Sequence, residues 1–278
     1  MVLLPNHRKG NPVLNIIVCV KQVLDPEVPS SAYKIDGESR RVICRGAPPV
    51  LNPFDENALE AALRIKDVHE SRVTVISMGR MLAKAILRKA LAVGADELLL
   101  LEDNTFDSFD SYTTAIIIAK AIRKIQVYDL ILTGLQSADT NAGIVGPGIA
   151  EFLNIPSVTG ARKAEIDDGK LLVEKAVSSG YEIVEVVTPA LVTVTNELGN
   201  LRTATGAQLM NAQKKPITTW TVNDLDIEHY QKGKLELLDL FIPRVESRCE
   251  FIEGQTMAEA GANLATILVS DGLIPDLK

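Results

Sequence analysis

The stretch Leu132–Phe152 reads "LTGLQSADTNAGIVGPGIAEF". It runs from the end of an apolar segment, through small polar residues, into a segment of helical character. A plain reversal of direction does not need so many Gly, Ser, Thr and Asn residues, whereas a backbone laid around phosphates does. Gly134, Gly143, Gly146 and Gly148 permit close backbone approach, and Ser137, Thr140 and Asn141 can donate hydrogen bonds. The helix that follows offers free N–H groups to an anion. The glycine spacing matches neither G-x-G-x-x-G nor G-x-x-x-x-G-K-[ST], and no lysine follows the loop. That pattern points to binding rather than hydrolysis, with a merely flexible strand-to-helix loop as the alternative.

Upstream lie further apolar runs, "LNIIVCV" (14–20), "RVTVISM" (72–78) and "ELLLLED" (97–103), joined by "YDLILTG" (128–134). They are rich in Ile, Val and Leu without clean alternation, as in strands buried on both faces of a parallel sheet. The segments between them read as helices. "NPFDENALEAALRIKD" has Asn52 at the N-cap, Pro53 at the first helical position, and Asp55 and Glu56 in the first turn. "RMLAKAILRKALAVGAD" ends at Gly94, the expected left-handed cap. "DSYTTAIIIAKAIRKI" gathers Lys120, Arg123 and Lys124 in its last turns. Alternating strands and helices predict a doubly wound, mostly parallel α/β sheet of Rossmann-like, adenine-nucleotide-binding type. In such sheets ligands bind outside the carboxyl ends of the strands, at the switch point in strand order.

Downstream the rhythm changes. Residues 159–197 read as antiparallel strands turning at Asp168-Gly169 and Ser179-Gly180, and "YKIDGESRRVI" (33–43) is a second hairpin signal. From Gly199 to Trp220 periodicity is lost, which predicts an extended arm over another surface. "GQTMAEAGANLATILVSDGLI" predicts a C-terminal helix. The expected division is a nucleotide-binding domain over 1–198, a partner-wrapping arm over 199–222, and a C-terminal segment over 223–278.

Composition narrows the function. Hydrophobic content of 46% with only 4% aromatic residues predicts an Ile/Leu/Val/Ala core in this 278-residue chain. No apolar run approaches the roughly 20 residues of a membrane span. The opening "MVLLPNHRKGNP" is apolar then basic, the reverse of a secretory signal, so a frayed N-terminus and a cytoplasmic location are expected. A net charge of -7 argues against nucleic acid as the main partner. Cys19, Cys44 and Cys249 are odd in number and widely spaced, and His7, His69 and His229 have no partners at ligand spacing. Metal and triad chemistry are therefore not expected. Cys19 and Met78 sit within apolar runs, where such residues are more often core than contact. Trp220 is either a partner anchor or a core residue of its own chain.

Five motifs occur in one order: "VCVKQVLDP", "NPFDENALEAALRIKD", "LAVGADELLLLED", "DLILTGLQSADTNAGIVGPGIAEFLNIPSV" and "PALVTVTNE". Together they resemble the β subunit of electron transfer flavoproteins, including the Fix-type, electron-bifurcating branch. "KKPITTW" and "CEFIEG" also look like that branch. The resemblance implies an α subunit as partner, which carries most contacts to a redox-active FAD. It also implies a nucleotide in the β crevice, AMP in simple carriers and a second FAD in bifurcating ones. Carried over, the cofactor contacts fall at Cys19, Asn52, Pro53, Phe54, Asp55 and Met78. They continue through Gly134, Gln136, Ser137, Ala138, Asp139, Thr140, Asn141, Gly143, Val145 and Gly146. The "VGP" of the loop looks like the bifurcating group, favouring a second FAD. Asp25 is a candidate near a flavin edge, or else a turn cap.

In that family β supplies no acid or base, and electrons pass between a dehydrogenase or NADH and a downstream acceptor. The implied redox partners are an acyl-CoA dehydrogenase or other flavin dehydrogenase, a quinone reductase or ferredoxin. Two departures stand out. Pro26 replaces the Tyr that simple carriers often place after that Asp, so no aromatic contact to the α flavin is implied. The arm reads "LRTATGAQLMNA" where simple carriers have "RYATLPNIMKA". Gly206 thus occupies the docking Leu position, leaving Leu209 and Met210, with Trp220, as partner anchors. The competing class is a stand-alone adenine-nucleotide sensor, which would not need the arm. Whether the chain counts as an enzyme turns on bifurcation, since only that version oxidises NADH.

Overall fold

The computed structural model describes residues 13–38, 40–44, 46–108, 110–227, 233–243 and 249–275. The N-terminal stretch expected to fray, His7 and His229 lie outside these residues. The chain divides into two units, Met1–Asp239 and Leu240–Lys278.

In the first unit, β1 (Leu14–Cys19) is followed by two short antiparallel pairs. These are β2 (Gln22–Val23) with β5 (Val50–Leu51), and the hairpin of β3 (Tyr33–Asp36) and β4 (Arg41–Cys44). Alternation of helix and strand then sets in: α1 (Pro53–Val68), β6 (Ser71–Gly79), α2 (Lys84–Val93), β7 (Glu97–Glu102), α3 (Ser111–Ile125), β8 (Leu130–Gly134) and α4 (Val145–Leu153). Strands β9 (Ser157–Asp167), β10 (Lys170–Val177), β11 (Gly180–Val186) and β12 (Ala190–Val194) follow, then α5 (Gly206–Lys214) and β13 (Ile217–Trp220).

Among the described residues the main sheet has nine strands in the order β11-β10-β9-β12-β8-β1-β6-β7-β13. From β9 to β13 every pairing is parallel, and β10 and β11 extend one edge antiparallel. The α/β class read from the sequence is therefore the architecture observed. Asp168 and Gly169, both at positive φ, make the tight turn between β9 and β10. "PALVTVTNE", read with the antiparallel strands, instead returns β12 to the parallel sheet between β8 and β9. Its five residues are all buried, as a strand covered on both faces requires.

Two apolar layers flank the sheet. Residues of α1 and α2 pack on one face with Ile16, Val18, Val73, Val75, Leu130 and Leu132. Residues of α3 and α4 pack on the other with Ile17, Ile76, Leu99, Ile131 and Leu191. Alternate residues of β1, β6 and β8 face opposite layers, so these short runs have no polar side. Asp110 caps α3, its carboxylate accepting from Thr113 N at 2.8 Å.

The segment from Gly199, expected to be an unpatterned arm, contains two regular elements. Thr205 and Gln208 form a reciprocal capping box at the start of α5. β13 then adds to the sheet edge beside β7, in register from Ile217 opposite Leu98 to Trp220 opposite Leu101. α5 buries only Ala212, and β13 contributes Ile217 to one apolar layer and Trp220 to the other, too few side chains for a periodicity reading to find. In the second unit, α6 (Met257–Ser270) is capped by Thr256 and buries none of its residues within the described chain. No helix among the described residues is long and apolar enough to cross a membrane.

Candidate functional site

After β1 the chain lays β6 and β7 to one side, then crosses to place β8 on the other. The switch point in strand order lies between β1 and β8, whose carboxyl ends are Cys19 and Gly134. The first turn of α1 fills the gap between them, and Asp55 ties both ends together. Its Oδ2 accepts from Lys21 N at 2.7 Å, and its Oδ1 accepts from Gly134 N at 3.0 Å.

Asp55 is only 7% exposed. Burial pushes its carboxyl up to about 7, against the opposing pull of the Lys21 amide, Asn52, the Gly134 amide and the Lys21 charge. Burial also raises the thiol of Cys19, as does the nearby Asp55 charge. Cys19 thus stays a protonated thiol at neutral pH, a wall of the crevice and not a nucleophile.

Asn52 stands at the N-cap position of α1, as its sequence context predicts, but its side chain does not cap that helix. Its backbone N–H donates to Lys21 O at 2.8 Å. Its side-chain amide spans to the loop after β8: Nδ2 donates to Gln136 O at 2.9 Å, and Oδ1 accepts from Ala138 N at 3.0 Å. A fully buried amide making two bonds to a loop 84 and 86 residues away fixes that loop against α1. Pro53 is exposed and Phe54 half-buried beside it.

Small size at Gly134 and Gly146 serves the protein's own packing. A Cβ on Gly134 would lie 2.4 Å from Asp55 Oδ1 and 2.7 Å from the Phe54 carbonyl carbon. A Cβ on Gly146 would lie 2.6 Å from Thr133 Oγ1. Gly148 lies against Ala115 of α3. Gly143 has the positive φ for which glycine is suited.

The loop 135–144 folds on itself. Asn141 N donates to Ser137 O at 2.8 Å, the Ser137 and Thr140 hydroxyls meet at 2.9 Å, and Gln136 Nε2 donates to Asn141 Oδ1 at 3.2 Å. Asp139 reaches the other strand end, pairing with Lys21 Nζ at 2.7 Å. Although burial opposes it, that contact holds the Asp139 carboxyl below its ordinary range.

Ile144, at the cap of α4, provides no side-chain acceptor, so the first-turn amides of Val145 and Gly146 have no intrahelical partner. Pro147 has no N–H to satisfy. The hydroxyls of Ser137 and Thr140 and the first-turn amides of α4 form a donor set that fits a phosphate, with the Asp139 charge offset by Lys21. Met78, next to last in β6, packs against the layer containing α3. The structure thus gathers Cys19, Asn52, Phe54, Asp55, Gly134 and the loop at the β1/β8 switch point. Asp25 lies in the turn after β2, where its Oδ1 accepts from Glu27 N at 3.0 Å. That is the turn-capping role offered as its alternative.

The arm residues are presented differently. On α5, Leu209 is 47% and Met210 66% exposed, and only Ala212 is buried. The helix is held by charge: Arg88 of α2 donates to Ala212 O at 2.7 Å and Lys215 O at 3.1 Å, while Lys215 Nζ donates to Ala95 O at 2.7 Å. Arg202 pairs with Glu60 and Asp67 of α1 at 3.0 and 2.8 Å. Gly206 opens α5 with nothing within 4 Å of its Cβ position. Trp220 instead packs against this chain's own core, with Lys124 Nζ 4.7 Å from its ring centre. Sequence reading missed Asn52 as a loop tether, Lys21 as an ion-pair partner, and the Arg88 and Arg202 clasps. A lone basic residue carries no sign of which distant carbonyl or carboxylate it meets.

Comparison with known proteins gives a consistent result. The model of the electron transfer flavoprotein domain matches residues 41–225. An electron transfer flavoprotein subunit beta of Thermoanaerobacterium thermosaccharolyticum is 41% identical over 266 residues, covering 94% of this chain and 100% of the relative. The caffeyl-CoA reductase-Etf complex subunit CarD of Acetobacterium woodii is 36% identical over 94% of this chain and 100% of its own length. Protein FixA of Azorhizobium caulinodans is 32% identical over 88% of this chain and 89% of its own.

Proposed function

The chain belongs to the electron transfer flavoprotein family as a β subunit with Fix-type relatives, and we propose that it works in a heterodimer with an α subunit. In this reading the α subunit carries most contacts to one FAD, and the crevice between β1 and β8 holds a second FAD in place of AMP. The observation that carries it is the crevice itself, with loop 135–144 tethered by Asn52 beside the uncapped N-terminus of α4.

The residues divide the work by position. The amides of Val145 and Gly146 and the hydroxyls of Ser137 and Thr140 receive phosphate oxygens. Asp55 sets the spacing of the two strand ends, and Gln136, Ala138, Asn141 and Gly143 shape the loop. Cys19, Asn52, Pro53, Phe54 and Met78 border the rest of the nucleotide, and Asp25 holds the adjoining turn. A bound flavin supplies the redox chemistry. The protein's own share is binding, orientation and exclusion of water.

Electrons would enter from NADH or from an acyl-CoA dehydrogenase or other flavin dehydrogenase, and leave to a quinone reductase or ferredoxin. The similarity to a subunit named for a caffeyl-CoA reductase-Etf complex supports a CoA-linked redox partner, and the "VGP" of the loop favours the bifurcating version. Leu209 and Met210 are the proposed dehydrogenase anchors, opening at Gly206, while Trp220 fixes the arm to the sheet. The segment 199–222 would meet the α subunit on its outer side, and the pair would work in the cytoplasm.

The test is nucleotide content after co-expression with the α partner, released by heat and quantified. Two FAD per heterodimer and no AMP is the expected result. One FAD with one AMP would make this a simple carrier. A protein that takes up adenine nucleotide with neither flavin nor α partner would instead be the sensor.

A further inference from the structure

The loop proposed to receive phosphate carries a carboxylate, and that is an electrostatic contradiction. In the segments that follow β1 and β8, residues 19–24 and 134–146, the charged side chains are Lys21 and Asp139. Without compensation, Asp139 would repel any phosphate the loop amides attract. Compensation comes from the opposite side of the switch point. Lys21 Nζ lies 2.7 and 2.8 Å from the two Asp139 oxygens, across 118 residues of sequence.

The lysine is aimed by its backbone. Its N–H is held by Asp55 at 2.7 Å and its carbonyl by Asn52 N at 2.8 Å, so both peptide groups are fixed by the first turn of α1. Asn52 holds the residues just before Asp139 in the same loop, at Gln136 and Ala138. The loop therefore has two tethers across the crevice, one neutral and buried, one charged and partly exposed.

We infer that Lys21 and Asp139 form a latch that sets the affinity of the crevice for nucleotide phosphate. Lys21 is a positioning residue: it cancels the charge of Asp139 beside the proposed phosphate cradle. It is not itself the phosphate ligand. This rests on the reading of the crevice as a nucleotide site, and the experiment separates the two.

The protein co-expressed with its α partner is stripped of its β nucleotide and titrated with AMP and with adenosine, which lacks the phosphate. Lys21→Gln should weaken AMP by about tenfold or more and leave adenosine within about twofold. Asp139→Asn alone should strengthen AMP binding by about threefold or more, because it removes the repelling carboxylate and leaves the Lys21 charge uncancelled. The double variant should recover AMP binding to within about threefold of the unmodified protein. Amides of residues 135–144 in the nucleotide-free protein should exchange faster in Lys21→Gln. A double variant as weak as Lys21→Gln would make Lys21 a direct ligand and overturn the latch. So would a Lys21→Gln protein that binds AMP normally, or one that loses AMP and adenosine equally. If the unmodified protein binds neither AMP nor adenosine, the nucleotide reading fails first and the latch falls with it.

Discussion

Replacing Gly134 with Ala tests the central geometry of the crevice with one methyl group. The new Cβ would lie 2.4 Å from Asp55 Oδ1 and 2.7 Å from both the carbonyl carbon and the Cβ of Phe54. Two of those atoms belong to the backbone or to a Cβ, so no change of rotamer relieves them. Inserting a methyl into such a site costs about 1–3 kcal/mol. Separating β8 from α1 also lengthens the bond from Gly134 N to Asp55, now 3.0 Å, and removes about 1 kcal/mol more. The sum, about 2–4 kcal/mol, corresponds to a fall in Tm of roughly 3–7 °C for a chain of this size. Gly206→Ala is the control, because nothing lies within 4 Å of its Cβ position at the start of an exposed helix. It should be neutral or raise Tm slightly. Both are read by thermal melting followed by circular dichroism. A Gly134→Ala protein melting within about 2 °C of the parent would refute the argument that the strand end and α1 are in rigid contact.

Asp55→Asn should flatten the pH dependence of stability between about pH 4 and 7. The native carboxyl, raised to about 7, holds a proton there that the unfolded chain has released. Stability of the parent therefore falls as pH rises through that window, by at most about 1.4 kcal/mol per unit from this group, and denaturant titrations at several pH values will show whether the variant loses the slope. Arg202→Ala leaves buried Glu60 with only Arg64 as an ionic partner among the described residues and should cost about 2–3 kcal/mol by urea denaturation; a loss under 0.5 kcal/mol, about the effect of an ordinary surface change, would contradict the clasp. Leu209→Asp with Met210→Asp should keep the parent's Tm within roughly 2 °C, since both side chains are exposed, while dehydrogenase binding measured by calorimetry weakens at least about tenfold.

How far the sequence reveals this arrangement depends on the range of each interaction. The strands β1, β6, β7 and β8 are legible because burial on both faces leaves a local record, an unbroken run of Ile, Leu and Val. Helix limits are legible where the cap is local, as with Asp110 before α3 and Gly94 after α2. The turn at Asp168-Gly169 is legible because positive φ selects those residues. Elements that bury few side chains are not. In α5 a single residue is buried, and β13 is an edge strand of four residues. Their placement rests on Arg88, Lys215 and Arg202 reaching carbonyls or carboxylates more than 100 residues away.

The crevice shows the same division within single residues. The short polar and small residues of the loop have the composition of a phosphate cradle, yet several have a second duty that composition does not disclose. Asn52 reads as a helix cap because Asn suits that position, and it does occupy it. Its side chain, however, is committed to Gln136 and Ala138. Gly134 reads as room for a ligand, and the room is taken by Phe54 and Asp55. The two facts are one: α1 can reach the β8 loop through Asn52 only because Gly134 lets its first turn come this close. Asp55 can then bond both strand ends at once, holding β1 and β8 at the separation their loops require. A larger residue at 134 would disturb the Asp55 bond and the Asn52 tether together. The loop's shape is thus set from beneath by α1.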